Sequence, residues 1–368
     1  FKDKPETAPE KKVEQKAPPE EPAIVKPLPL PEGNLPETTP EEEAQNLGMT
    51  MDFDDPRGLV AKLTEQLNNA KSDKDLENIA RLLGNGKVDP EHYKQLQKLF
   101  AENRLKLDDE ATVQLLGELK AGKKSRWAIN LKDGSKMQLD IARQKDGKWK
   151  VQDVKLPMSN IGEDGIALSA EAILKRRLEA EQKDAMNYTH NFMSVLTSLD
   201  FEKARGMVNT DKISDAKIAG LCILFEDGNY QIDQDKPLQA IRLKEDISAF
   251  YANVISNDEA DKQGAQFSIT ATRESKNKPW KVDEINLDRL LEDYAKRVAG
   301  GDIYYTPMIK NPNGGETLVI YFEFDSKGVS ERTAKQLDIV ARLLKLDKRK
   351  KVTLSGHTDA MGSNEYNS

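Results

Sequence analysis

Three histidines and one cysteine are the side chains of this sequence most suited to acid–base, metal or nucleophilic chemistry. His357 is the best placed, within Gly356-His357-Thr358-Asp359, yet no second histidine or cysteine lies near it in sequence. A packed, hydrogen-bonded imidazole is expected there, because a zinc or acid–base site needs further ligands or partners. His190 has Asp184 nearby but falls off the apolar stripe to which Tyr188 belongs, so it reads as a solvated histidine. His92, in Pro90-Glu91-His92-Tyr93, reads the same way. Cys222 lies in the apolar run Leu221-Cys222-Ile223-Leu224-Phe225, where a helix core takes a small hydrophobe. A single cysteine forms no intrachain disulfide and leaves the compartment open. No Gly-rich phosphate loop, zinc spacing or nucleophile elbow occurs, so the expectation is a non-catalytic protein with no metal and no cofactor.

The elements that position these residues belong to a modular chain. Its 368 residues are enough for two or three domains. The 56 basic and 63 acidic residues are interspersed and give a net charge of −7. A duplex-binding protein concentrates cations on one face, so nucleic acid is not an expected partner. No eighteen-residue apolar run and no signal-peptide pattern occurs. The chain starts at Phe1 and stops at Ser368 inside a motif, so any anchor or signal is expected upstream.

Residues 2 to 52 contain no aromatic side chain and hold ten of the seventeen prolines. Such a segment buries too little apolar surface to offset its ordering entropy, and 1–52 is expected to be a disordered linker. Stretched at about 3 Å per residue it would span on the order of 100 Å.

Helical periodicity starts after Pro56, with Leu59, Val60, Leu63 and Leu67, then Leu76, Ile79, Ala80 and Leu83, with Ser72 as an N-cap between them. Further helical patterns surround Leu96, Leu99 and Phe100, and Val113, Leu115, Leu116 and Leu119. From Ser125 the pattern alternates through Trp127, Ile129 and Leu131, then Met137, Leu139 and Ile141, then Trp149, Val151 and Val154. Asp133-Gly134 and Asp146-Gly147 supply hairpin turns between these strands.

The order then recurs. Tyr188, Phe192, Val195, Leu196 and Leu199 predict a helix, as do Leu243, Ile247, Phe250, Tyr251 and Val254. Strands are predicted at Gln266–Thr272 and from Pro279. Residues 148–154 and 279–285 align without gaps, which argues for two copies of one α+β module, at 53–157 and 170–300. A tryptophan opening the closing strand of a twisted antiparallel sheet packed on helices resembles the nuclear transport factor 2-like and cystatin-like superfamilies, whose cones can hold a ligand. Turn-rich breaks at 160–165 and 311–315 separate the modules.

Leu318, Ile320, Phe322 and Phe324 alternate with Val319, Tyr321 and Glu323, which predicts a buried strand. Ser330 then caps a helix with Ala334, Leu337, Val340, Ala341 and Leu344 on one face, and Lys351–Ser355 forms a second strand. The order Ile320–Asp325, helix, Val352–Asp359, Gly362-Ser363, Tyr366-Asn367 resembles the start of an OmpA-like peptidoglycan-binding domain, here 316–368.

That resemblance implies that Asp359 holds the diaminopimelate of the peptidoglycan stem peptide. A loop carboxylate can pair with the ligand ammonium through charge-assisted hydrogen bonds, while backbone amides and an arginine take its carboxylate. Thr358, Asp325 and Asn367 match family positions and are carried over at the edge of the site. The family arginine lies on the helix after Tyr-Asn, beyond Ser368. The whole reads as an α+β, multidomain, non-catalytic envelope protein of the periplasmic side, tethered to peptidoglycan and with a membrane anchor conceivable upstream of residue 1. The alternative is a small-molecule-binding or enzymatic protein acting through the middle modules. The basic run at Lys345–Lys351 falls at a helix C-terminus, where solvation and the helix dipole account for it.

Overall fold

Asp55 accepts a hydrogen bond from the Gly58 amide, and Pro56 presets the first helical φ, so α1 (Pro56–Asn69) starts where the apolar period starts. Ser72 and Asp75 satisfy each other's backbone amides in a capping box that opens α2 (Asp73–Leu83), and Asp89 caps α3 (Pro90–Ala101). The structure is a computed structural model that describes residues 52–109, 112–162, 165–257 and 264–297, with 309–310, 316–317, 328, 331–346, 351 and 353. The proline-rich arm lies outside the described residues.

The first sheet half is an antiparallel meander of β1 (Val113–Lys120), β2 (Lys124–Asn130), β3 (Lys136–Arg143) and β4 (Trp149–Lys155). The turns at Gly134 and Gly147 carry φ of 78° and 85°, conformations that glycine adopts without steric cost. Trp127, Ile129, Leu139, Ile141 and Val151 pack on α1–α3 and close one core.

After α4 (Ala170–Lys183), α5 (Ala185–Thr197), α6 (Phe201–Met207) and α7 (Asp215–Asp227), the chain enters a second half. It consists of β5 (Tyr230–Ile232), β6 (Leu238–Leu243), β7 (Ile247–Ser256), β8 (Gly264–Thr272) and β9 (Lys281–Asn286), followed by α8 (Asp288–Arg297). Phe250, Val254, Phe267 and Ile269 pack with Phe192, Leu196 and Leu224 in a second core. Cys222 belongs to it with no exposure, as its apolar neighbours predict. Burial pushes its thiol up to about 12, so it stays protonated and unreactive. A two-stranded hairpin, β10 (Ile309–Lys310) with β11 (Glu316–Thr317), and α9 (Glu331–Leu346) complete the described elements.

The two halves are not separate sheets. They join through a parallel contact of β1 with β6, at Glu118 and Gln239, into one mixed sheet in the order β4-β3-β2-β1-β6-β7-β8-β9, with β5 on β7.

The duplication predicted from the closing strands extends to irregularities of the sheet. In β4 the pairing passes over Gln152, since Val151 faces Ile141 and Asp153 faces Asp140. In β9 it passes over the equivalent Asp283, with Val282 facing Ala271 and Glu284 facing Thr270. Likewise β1 passes over Leu116 and β6 passes over Ile241. Bulges bend and twist a strand at defined places, so four in matching positions mark two copies of one unit. Because the equivalent strands β1 and β6 run parallel side by side, the second copy is turned over, and its helices cover the opposite face. Leu115 accordingly packs with the first core and its counterpart Ala240 with the second.

Two predicted helices are strands. Val113–Leu119 forms β1, where register shifts at Leu116 and Leu119 break the alternation, so that these two leucines, three apart, both pack with the second core and imitate helical spacing. Ile247–Val254 lies in β7, whose buried alternation runs through Ser248, Phe250, Ala252, Val254 and Ser256. The serines hid the period of two, and Phe250, Tyr251 and Val254 happened to fit a helix.

Gly117, beside the bulge, has φ of 153°, and a Cβ there would stand 2.5 Å from the Leu238 carbonyl oxygen of β6. The halves approach this closely only over a glycine. Gly117→Ala is expected to cost at least about 2 kcal/mol, read as a lowered urea midpoint.

Candidate functional site

The binding residues expected from sequence, Asp325, Thr358, Asp359 and Asn367, lie outside the described residues, as does His357. The helix described in this segment is α9, found where the apolar stripe predicted a helix. It packs on α7: Ile339 is 3% exposed, and the Gln336 side chain is buried and donates to Asp227 at 3.3 Å. Lys335 meets Glu226 at 3.5 Å, and Arg342 meets Glu202 of α6 at 3.0 Å. Of the predicted stripe, Val340 packs with the second core, while Ala334, Leu337 and Ala341 are exposed. One face of α9 therefore meets the second copy.

The copies are held together by a buried charge cluster. Arg126 of β2 points away from Trp127 and grips Asp140 of β3 with two hydrogen bonds, at 2.6 and 3.0 Å. Its remaining nitrogen donates to Asp184 at 2.5 Å. Asp184 is also the N-cap of α5, accepting from the Met186 and Asn187 amides at 3.1 and 3.0 Å. Burial opposes its ionised form, but Arg126 and Lys155 outweigh it and hold its pKa below the usual carboxylate value. Burial likewise opposes the Arg126 charge, and Asp140 and Asp184 raise its pKa above the ordinary value. Arg126 was not singled out from sequence. Its signal is a charged residue in mid-strand between apolar neighbours, one strand away from an equally central aspartate.

His190 corrects the expectation of a solvated imidazole. It lies on α5 at 5% exposure, because the turned-over second copy covers the outer face of the first half-sheet. Helical periodicity identifies the face toward a helix's own core and carries no record of a second sheet behind it. Desolvation, reinforced by Lys136, draws its pKa down to about 4. His92 remains half-buried on α3, with its ring 3.7 Å from Asp89. Among the described residues no group of three His, Cys, Asp or Glu side chains could hold a metal ion.

Residues 321–368 match the model of the OmpA family. OmpA-type domains are non-catalytic and associate with peptidoglycan in cell-envelope proteins. The match covers the segment whose order of strand, helix and Gly-His-Thr-Asp carried the resemblance. It does not reach residues 53–300, and the likeness of the middle modules to nuclear transport factor 2-like and cystatin-like domains receives no support from it. No curated protein matches the chain. No described helix is long and apolar enough to cross a membrane.

Arg126→Ala leaves Asp140 and Asp184 without their main counter-charge, and is expected to cost about 3–5 kcal/mol in chemical denaturation. The His190 prediction concerns pH. A histidine whose folded pKa lies below its ordinary 6.5 takes up its proton first in the unfolded chain. Its contribution is complete above about 6.5 and is lost as pH falls toward about 4, by on the order of 3 kcal/mol. Urea midpoints at pH 7 and pH 4.5 should differ by less in His190→Gln than in the parent chain.

Proposed function

We propose that this chain is a non-catalytic cell-envelope protein that contacts peptidoglycan through residues 316–368. The match of residues 321–368 to the OmpA family carries this reading. In it, Asp359 pairs with the ammonium of the diaminopimelate stem peptide, and Thr358, Asp325 and Asn367 border that site. The middle modules, 53–157 and 170–300, form a platform on which α9 is seated, and the proline-rich arm at 1–52 provides reach toward an anchoring point upstream. Membrane attachment at that point belongs to the same proposal.

The docking of α9 supports the mechanical side of this reading. A wall-binding segment hinged by a free linker would transmit little orientation, whereas Ile339, Gln336 and Arg342 tie its helix to α7 and α6. Inter-domain contacts of this polar kind hold an orientation while remaining separable.

Co-sedimentation of the chain with purified peptidoglycan tests the site. The parent protein should pellet with the wall, and Asp359→Ala should weaken binding about tenfold or more, as expected for loss of a charge-assisted pair. Asp359→Asn, which keeps the shape of the loop, should bind as poorly as the alanine variant. Equal pelleting of all three proteins would sink the assignment of Asp359.

A further inference from the structure

Between the outer face of the first half-sheet and helices α4 and α5 lies a cavity of about 230 Å³. It exists because the second copy is turned over: β1 and β2 contribute Gln114, Leu116 and Ala128 to its wall, and α5 contributes His190, Asn191 and Ser194. Its volume is about eight times water's share of the liquid and lies below the roughly 300–1,000 Å³ of drug-sized sites. The size fits a small metabolite.

The cavity is polar in a specific way. His190 is 5% exposed, and among the described residues its ring hydrogen-bonds one side chain, that of Gln114, with nitrogens 3.5 Å apart. A buried imidazole at the limit of hydrogen-bond distance from its nearest partner can still donate to or accept from a ligand. The interior thus offers neutral hydrogen-bonding groups beside the apolar Leu116 and Ala128.

Charged side chains also line the cavity, and most are paired. Arg104 and Arg177 are committed to Asp133, and Lys155 to Asp184. Two cations on the lining are less constrained. Lys136 meets Glu181 only at 3.9 Å, and Arg176 of α4 makes no ion pair among the described residues. The Glu181 carboxylate lines the same cavity and offsets one of these cations, so the remaining positive charge suits a monoanion with an uncharged hydrogen-bonding body.

We propose that this inter-copy cavity is a binding site for a small carboxylate whose anionic end meets Lys136 and Arg176 and whose neutral end reaches His190 and Gln114. The site is separate from the wall-contacting segment and does not depend on it. A more highly charged anion, such as inorganic phosphate, would need more uncommitted cations than the lining supplies.

The test is an NMR titration of the ¹⁵N-labelled full chain, following the side-chain amides of Gln114 and Asn191. N-acetyl-alanine, a carboxylate with one amide, should shift both resonances saturably. Its neutral isostere N-acetyl-alaninamide and inorganic phosphate should leave them in place. Arg176→Glu, an exposed position, should weaken the N-acetyl-alanine response about fivefold or more, as loss of roughly 1 kcal/mol implies, without changing co-sedimentation with peptidoglycan. Equal shifts from the carboxylate and its amide, stronger shifts from phosphate, or no saturable shift with N-acetyl-alanine would each overturn the proposal. Because peptidoglycan binding is read separately, a failure here leaves the wall-contact reading intact, and the reverse holds equally.

Discussion

The arrangement of this protein depends on one buried guanidinium. Arg126 is the only side chain described that hydrogen-bonds both a strand of the first copy, through Asp140, and the first turn of the second copy's central helix, through Asp184. The geometry is the favourable one for a charge out of water: a planar fork meets one carboxylate with two bonds, and a second carboxylate takes the remaining nitrogen. Asp184 is in turn satisfied by two backbone amides at the start of α5, so the helix dipole and the arginine stabilise the same charge. Replacing such a cluster with apolar groups is often neutral for stability, but removing one member is not. Its role is therefore better understood as specifying how the copies meet. An apolar contact would tolerate sliding, and three hydrogen bonds in fixed directions do not.

This clamp is required by the topology. A four-stranded meander with helices on one face leaves its other face open to water, where polar residues such as Arg126, Gln138 and Asp140 are at ease. Turning the second copy over brings α5 onto that face, and residues once solvated must find partners in a low-dielectric layer. Arg126, Asp140 and Asp184 do so as an ion cluster, while Gln138 and Asn187 meet through their carboxamides at 2.7 Å. Where the match is incomplete, beside His190, a cavity remains. The outer face of the second half has no such cover at Ile241, the counterpart of Leu116, which is 50% exposed. The fused pair is thus pseudo-symmetric in its sheet and asymmetric in its layers.

Much of each copy was legible in the sequence, because local signals agreed. The Ser72 cap, apolar stripes and Asp-Gly turns locate α1–α3 and β2–β4 in the order the structure has them. The misread elements share a physical cause. At Leu116 a bulge breaks the alternation, and in β7 buried serines mask it, so a period of two was read as 3.6. The relation between the copies was not legible, since a single parallel contact over Gly117 decides it and leaves no pattern of its own. His190 was misjudged for the same reason: its burial comes from the partner copy and not from its own helix. The expected wall-binding residues lie outside what the structure describes, and there the sequence motif and the family match carry the reading together.

The seat of α9 ties the segment that matches the OmpA family to the body of the protein. Of the helix's apolar positions, Val340 packs with the second core, while Ala334, Leu337 and Ala341 are exposed. Ile339 and Gln336 are buried as well, and a buried glutamine is affordable there only because Asp227 accepts its hydrogen bond. Asp227 closes α7, a helix whose apolar residues are buried all round, so the docking surface is anchored in the second core itself. The contacts of α9 thus lead into α7 and the second core, which the Arg126 cluster joins to the first. The order of strength follows from chemistry. The exposed ion pairs around Lys335 and Arg342 are screened and weak, whereas the Arg126 cluster is buried and geometrically fixed. The ion pairs of α9 are therefore weaker than the clamp between the copies.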